Sequence, residues 1–250
     1  MLKDSNGNEH KASAVLLSTG YEVFDAERKE ELGFGIYDGV ITSVQLEEML
    51  KSQQIKTAYD ETPQRVVFLQ CVGSRDEKTG NRYCSKVCCI TAVKQAIEVK
   101  RLIPQTEIFV FYMDLRMWGQ GFEELYRESQ EQYDVRYVRG RISEASSTFD
   151  GRIQIKAEDT LIGKPLKMST DLLVLMVGME PSCGTKALSD CCGVSGEYGF
   201  AVSKNPHLYD NITDKQGLFL AGTCKRPMSI KEAITDARSA ALDIIKFMRK

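Results

Sequence analysis

Four cysteines carry the clearest chemical signal in this sequence. Cys71 ends the apolar run 65–70, while Cys84, Cys88 and Cys89 stand at the opening of segment 85–102, where Val87, Ile90, Val93 and Ile97 recur at helical spacing. In a βαβ unit the carboxyl end of a strand and the amino end of the next helix meet at one rim, so all four thiols can converge there. On an extended helix Cys84 and Cys88 lie one turn apart and Cys89 is rotated by about 100°, so the three define a corner. The helix dipole and nearby Arg75, Lys78, Arg82 and Lys86 favour thiolates. Four thiolates form the shell of an iron-sulfur cluster. A structural four-cysteine zinc site stays open, although Cys71 lacks the close partner of a zinc knuckle. A dithiol redox centre or buried free thiols also stay open.

The elements that must position these residues alternate between strand and helix. A buried-type strand at 12–17 ends in Ser18-Thr19-Gly20, and a polar, Gly-rich connection runs from 21 to 40. Thr42 or Ser43 then caps a short helix. The strand at 65–70, the helix from Ser85 and a strand at 107–113 form the βαβ unit. A helix at 122–131 and a strand at 135–138 follow, then a small meander around 141–144 and 152–157 and a buried strand at 171–177. The tail contains a strand at 217–221 and a long helix at 229–248 with Ile230, Ala233, Ile234, Ala237, Ala241 and Ile244 on one face. This order gives an α/β fold.

Composition removes several function classes. Eight cysteines in 250 residues, two pairs of them directly adjacent, argue for metal or redox chemistry over structural disulfides. A net charge of −2 offers no basic field for nucleic acid. No apolar run approaches the roughly 18 residues that span a bilayer, and no signal peptide is read, so the expectation is a soluble, cytoplasmic protein. A GxGxxG fingerprint and a CxxC motif are both absent, which disfavours an NAD(P)H-dependent disulfide reductase. Cys183, Cys191, Cys192 and Cys224 read as small core or surface residues, Trp118 as core packing, and Lys225 and Arg226 as solvated loop cations. No catalytic residue is assigned.

The run Cys71-Val72-Gly73-Ser74-Arg75-Asp76, continuing at Tyr83-Cys84-Ser85-Lys86-Val87-Cys88-Cys89, resembles the A-subunit of heterodisulfide reductase (HdrA) and its relatives in quinone-interacting oxidoreductase complexes. Phe24-Asp25, Arg28-Lys29-Glu30-Glu31, Gly33-Phe34-Gly35 and Met113-Asp114-Leu115-Arg116 extend the likeness, which runs over nearly the whole chain. The resemblance implies a 4Fe-4S cluster on Cys71, Cys84, Cys88 and Cys89. It also implies a Rossmann-like pyridine-nucleotide-disulfide-oxidoreductase fold, with partial FAD-domain segments at 1–60 and 179–250 flanking a modified NAD(P)-type domain with a β-meander at 61–178. It implies FAD near Thr19, Gly20, Ala221, Gly222, Met228 and Ser229, with the helix opening at Ser229 facing the flavin ring. The family's amino-terminal flavin-binding half has no counterpart here, so a separate polypeptide is expected to supply it, alongside other subunits of a heterodisulfide-reductase-like complex. The implied function is electron transfer between FAD and the cluster. The alternative is a non-catalytic scaffold or fragment whose four-cysteine site holds zinc or a cluster for stability.

Overall fold

The computed structural model describes residues 2–3 and 6–249. The chain separates into two compact units, one built from the segment up to Val23 with the segment from Met179 onward, the other spanning Phe24–Gly178. In chain order the first unit opens with β1 (Leu2–Lys3), β2 (Glu9–His10), β3 (Val15–Leu17) and β4 (Tyr21–Val23). The second contains β5 (Val40–Thr42), α1 (Ser43–Lys51), β6 (Arg65–Val72), α2 (Cys88–Leu102), β7 (Glu107–Tyr112), α3 (Phe122–Glu131), β8 (Val135–Arg139), β9 (Ile142–Ser147), β10 (Ile153–Asp159), β11 (Lys164–Thr170) and β12 (Leu172–Val177). The first unit resumes with β13 (Met179–Pro181), α4 (Cys183–Cys192), β14 (Leu218–Leu220) and α5 (Ile230–Met248).

The 24–178 unit is built on a five-stranded sheet in the order β5-β12-β6-β7-β8, with every neighbouring pair parallel. Strands buried on both faces are nearly continuous apolar runs, and β6 and β12 follow that pattern with RVVFLQCV and LLVLMV, Gln70 being the polar exception inside β6. Their alternation sorts the two cores. Val66, Phe68, Leu172, Val174 and Met176 pack against the helices, including Leu46 of α1 and Ala92, Val93, Ala96 and Ile97 of α2. Val67, Leu69, Leu173 and Leu175 pack on the other face against Phe24, Leu32 and the meander residues Ile142, Ile153 and Ile155. Each such side chain contributes about 1.5–3 kcal/mol on full burial, so the sheet holds the rim above it firmly.

Residues 24–60, expected from the resemblance to go with the partial FAD-domain segment and connection at 1–60, fall in this unit: β5 adds an edge strand to the sheet and α1 covers its face. α1 begins as expected, with Thr42 as cap and a reciprocal bond to Gln45. The meander is larger than the pattern implies, because β11 pairs with β10 along its full length, from Ile153 opposite Thr170 to Asp159 opposite Lys164. Its sequence, KPLKMST, is half polar and contains a proline, which fits an edge strand and hides it from periodicity.

In the other unit β3 and β14 run parallel, with Leu17 opposite Leu220, around a core of Leu17, Val194, Ala201, Leu218 and Leu220. α5 is capped by Ser229 and Glu232 in a capping box, yet of its described residues only Ala240 is buried. Ile230, Ile234, Leu242, Ile245 and Met248 are exposed. No helix among the described residues is long and apolar enough to cross a membrane.

Candidate metal centre

The strand tip supplies Cys71 through an irregularity. Between Leu69 and Val72, β6 carries one residue more than its partner β12 between Leu175 and Val177, and Cys71 takes φ of +61°. Strict alternation would place Cys71 with Val67 and Leu69 on the meander face. The bulge turns it to the helix face, where it packs with Cys88 and Cys89. A non-glycine residue in this left-handed region costs about 1–2 kcal/mol. Cys71→Gly is therefore expected to be more stable than Cys71→Ala by about 1–2 kcal/mol in urea unfolding of the metal-free chain; the reverse order would mean that the backbone there has no such requirement.

After Cys71 the chain folds back on itself. Arg75 N–H donates to Tyr83 O at 2.9 Å and Asp76 N–H to Asn81 O at 3.0 Å, making a small hairpin that returns Cys84, next to Tyr83, toward the strand tip. Asp76 pins it: Lys29 Nζ donates to Asp76 Oδ2 at 2.8 Å, and both side chains are over nine-tenths buried. Asn81 Nδ2 donates to Gly73 O at 3.0 Å. Gly73 is required, since a Cβ there would lie 2.0 Å from Cγ of the Phe24 ring.

The helix opens later than its pattern implies. Lys86 takes φ of +68°, which breaks the helical run, and α2 begins at Cys88 with Val87 as a cap that makes no side-chain bond. Cys84 thus lies in the loop, half-buried, its Sγ accepting Lys86 N–H at 3.3 Å, and is not one helical turn from Cys88. Cys88 and Cys89 occupy the first two helical positions, where backbone N–H groups and the dipole favour anions.

Cys71, Cys88 and Cys89 are all buried and pack together in one cluster. Hydrogen bonding to Cys88 lowers Cys71 from the ordinary thiol value, helped by the Arg75 charge, and brings Cys89 down to about 6. The same two bonds, with burial, raise Cys88 well above it. Cys88 thus holds its proton more tightly than either neighbour. Cys89 Sγ also sits 3.9 Å from Asp114 O. No group of three or more His, Cys, Asp or Glu among the described residues is arranged to hold a metal ion as it stands. A bound core would need the thiols to part and Cys88 to release its proton.

The residues tied by resemblance to flavin gather at one strand end of the other unit. Thr19 and Gly20 follow β3, Ala221 and Gly222 follow β14, and Ala221 N–H donates to Leu17 O at 3.0 Å. Thr185 of α4 braces the first pair, its hydroxyl 2.6 Å from that of Thr19 and 3.0 Å from Gly20 O. Gly222 N–H donates to Asp236 Oδ2 of α5 at 2.6 Å. Met228 is buried and Ser229 caps α5, its hydroxyl accepting from Glu232 N–H. Lys225 is not a solvated cation: its side chain is 2% exposed, with Nζ 2.6 Å from Asp236 Oδ1 and 3.0 Å from Asp210 Oδ2. Arg226 pairs with Asp210 as well. Trp118 is not core either; it is 57% exposed, with Lys86 Nζ 4.4 Å from its ring centre.

No family model matches the chain. Over 242 residues, 93% of its length, it is 39% identical to the A-subunit of H(2):CoB-CoM heterodisulfide,ferredoxin reductase from Methanothermobacter thermautotrophicus. It is 38% identical over 241 residues to the iron-sulfur A-subunit of CoB-CoM heterodisulfide reductase from Methanocaldococcus jannaschii. The chain belongs to the HdrA family of heterodisulfide reductases. It spans 36% of the length of each of these relatives. The fold is that of thioredoxin reductase: the T. acidophilum enzyme superposes with a TM-score of 0.62 over 95% of this chain and 66% of that one, at 16% identity.

The site fits an iron-sulfur core of the kind named in the Methanocaldococcus relative on grounds of its own. The donor set is four thiols, which suit iron. Beside Cys71, Gln70 Nε2 and Oε1, Ser74 Oγ and Arg75 Nη1 are buried without a hydrogen-bond partner among the described residues. Orphaned buried groups each cost about 1–3 kcal/mol, so the strand tip and loop that carry Cys71 hold polar atoms whose hydrogen bonds the described residues do not supply in normal geometry. Sequence reasoning misses Gln70, Ser74 and the Lys29–Asp76 clamp, although Lys29, Ser74 and Asp76 lie within the stretches that carry the family likeness.

Proposed function

We propose that this chain is the cluster-bearing part of a heterodisulfide-reductase-like oxidoreductase, passing electrons between FAD and a 4Fe-4S cluster held by Cys71, Cys84, Cys88 and Cys89. The single observation that carries this reading is the packing of the buried Cys71, Cys88 and Cys89 side chains in one cluster at the rim formed by β6 and the uncapped start of α2. When bound, the cluster supplies one-electron chemistry and the flavin supplies electron exchange singly or in pairs.

The protein's own groups prepare that chemistry. Cys71 is turned inward by its bulge, the Lys29–Asp76 pair fixes the loop that delivers Cys84, and Cys88 and Cys89 use the helix terminus to bear negative charge. Water is kept from three of the four sulfurs by burial, which strengthens every charge interaction among them. In the other unit, Thr19, Gly20, Ala221 and Gly222 form one strand-end edge, and Met228 and Ser229 open α5, the side expected toward FAD.

That flavin site is incomplete by this reading. α5 leaves Ile230, Ile234, Leu242, Ile245 and Met248 exposed, a liability in isolation and a natural seat for further flavin-domain structure. The thioredoxin reductase match also leaves about a third of that enzyme without a counterpart, since it covers 66%. The partners proposed on this reading are structure carrying the amino-terminal flavin-binding half and other subunits of a heterodisulfide-reductase-like complex acting in the cytoplasm.

Anaerobic purification with metal, sulfide and flavin analysis tests the proposal. A brown protein with iron and acid-labile sulfide in equal amounts, bleached by reductant, and retaining FAD only with its partner, is the expected result. A colourless protein containing zinc would replace this reading with a structural site.

A further inference from the structure

We propose that Arg75, gripped by Asp114, is a positioning residue that sets the reduction potential of the four-cysteine site; this rests on the cluster reading above. Arg75 leaves the hairpin with φ of +53° and carries its guanidinium back toward the thiols. Nη2 donates to Asp114 Oδ2 at 2.6 Å, and the arginine side chain is 19% exposed. Nη1 is buried and lacks a hydrogen-bond partner of normal geometry among the described residues. The guanidinium nevertheless lies against the Cys71 side chain, and its charge reaches Cys89. Asp114 belongs to the same arrangement, because its backbone oxygen faces Cys89 Sγ.

An arginine cannot relieve a buried orphan donor by losing its proton. Nη1 therefore needs an acceptor, and sulfur at this site is the acceptor within reach. Four thiolates keep a bound cluster site negative, and one-electron reduction adds a further negative charge. A fixed cation and an N–H donor to sulfur stabilise the reduced form more than the oxidised form, which raises the potential. The step is electron gain alone: no bond forms or breaks, and the guanidinium keeps its proton. Asp114 opposes the effect with its carboxylate, which predicts shifts of opposite sign for the two residues. A merely structural role has no reason to produce that signature.

The test is a mediator-poised redox titration, followed by electron paramagnetic resonance, of the anaerobically purified full chain, with iron measured on the same samples. At a fixed potential Arg75→Gln is expected to hold at least tenfold less reduced cluster relative to oxidised, a midpoint about 59 mV more negative. Arg75→Lys, which keeps charge but loses the fork, should fall between Arg75→Gln and the parent. Asp114→Asn should move the midpoint upward. Iron-replete Arg75→Gln and Asp114→Asn proteins with the parent's midpoint would overturn the inference. If Arg75→Gln loses iron, unshifted midpoints in Arg75→Lys and Asp114→Asn overturn it just as well, leaving Arg75 a role in assembly. A parent protein without iron would instead overturn the cluster reading itself.

Discussion

Cys88→Ala is expected to abolish iron binding, taking the chain from ~4 iron atoms to essentially none. Cys88 packs with both Cys71 and Cys89, and it stands at the first position of α2 where the strand tip and helix meet. Its removal takes away a central ligand and separates the two thiols that lean toward the thiolate. The fold should survive, because alanine suits a helix and the lost volume is one sulfur, a cost of about 1 kcal/mol. Cys224→Ala is the matched control. Cys224 is fully buried too, but its thiol bonds Leu17 O at 3.3 Å and Ala221 O at 3.2 Å, in the other unit. Iron content by mass spectrometry, with circular dichroism as a check on folding, decides the matter: full iron in Cys88→Ala, or its loss in Cys224→Ala, removes the assignment.

Much of this arrangement is legible in the sequence because it follows from patterns that local physics enforces. Apolar runs at 65–70 and 171–177 have to be buried strands, the interval between Cys71 and Pro104 has to hold a crossover helix, and Thr42 with Gln45 and Ser229 with Glu232 announce their caps. What escapes depends on contacts distant along the chain. Nothing in the residue types around Cys71 announces a bulge, since only the register against β12 creates it. Lys86 interrupts the helix by adopting a left-handed conformation that its side chain does not advertise. Trp118 misleads because a large aromatic is ordinarily buried, whereas here Lys86 covers one face of an exposed ring. Lys225 misleads because its counter-charges lie 11 and 15 residues away in sequence. The family likeness adds what spacing cannot, by favouring a cluster over zinc.

Lys225→Met is expected to destabilise the unit containing it by about 3–5 kcal/mol, the usual cost of removing one member of a buried ion pair. Its ammonium is almost fully enclosed and meets Asp236 Oδ1, Asp210 Oδ2 and Asp210 O, so its desolvation is offset at three acceptors. Methionine matches the length but leaves the two carboxylates short of a cation. Asp236 also accepts Gly222 N–H and Asn211 Nδ2, which means that the lysine helps hold the strand end at Ala221 and Gly222. Lys225→Met with Asp236→Asn should therefore recover part of the loss, because the amide oxygen can still accept from Gly222 without an uncompensated charge. Arg226→Ala should cost under about 1 kcal/mol, since Arg226 is half exposed. Burial would raise the Asp210 carboxyl, but bonds from Arg226 and Lys225 hold it below its ordinary value of 3.8. Its contribution is thus complete above that pH and is lost as pH falls through the lower folded value. Denaturant unfolding of the full chain at neutral pH provides the measurement. A Lys225→Met protein within 1 kcal/mol of the parent would mean that the network is incidental. A large loss recovered in the double variant would tie the stability of this unit to the same carboxylate that positions the edge proposed to meet FAD.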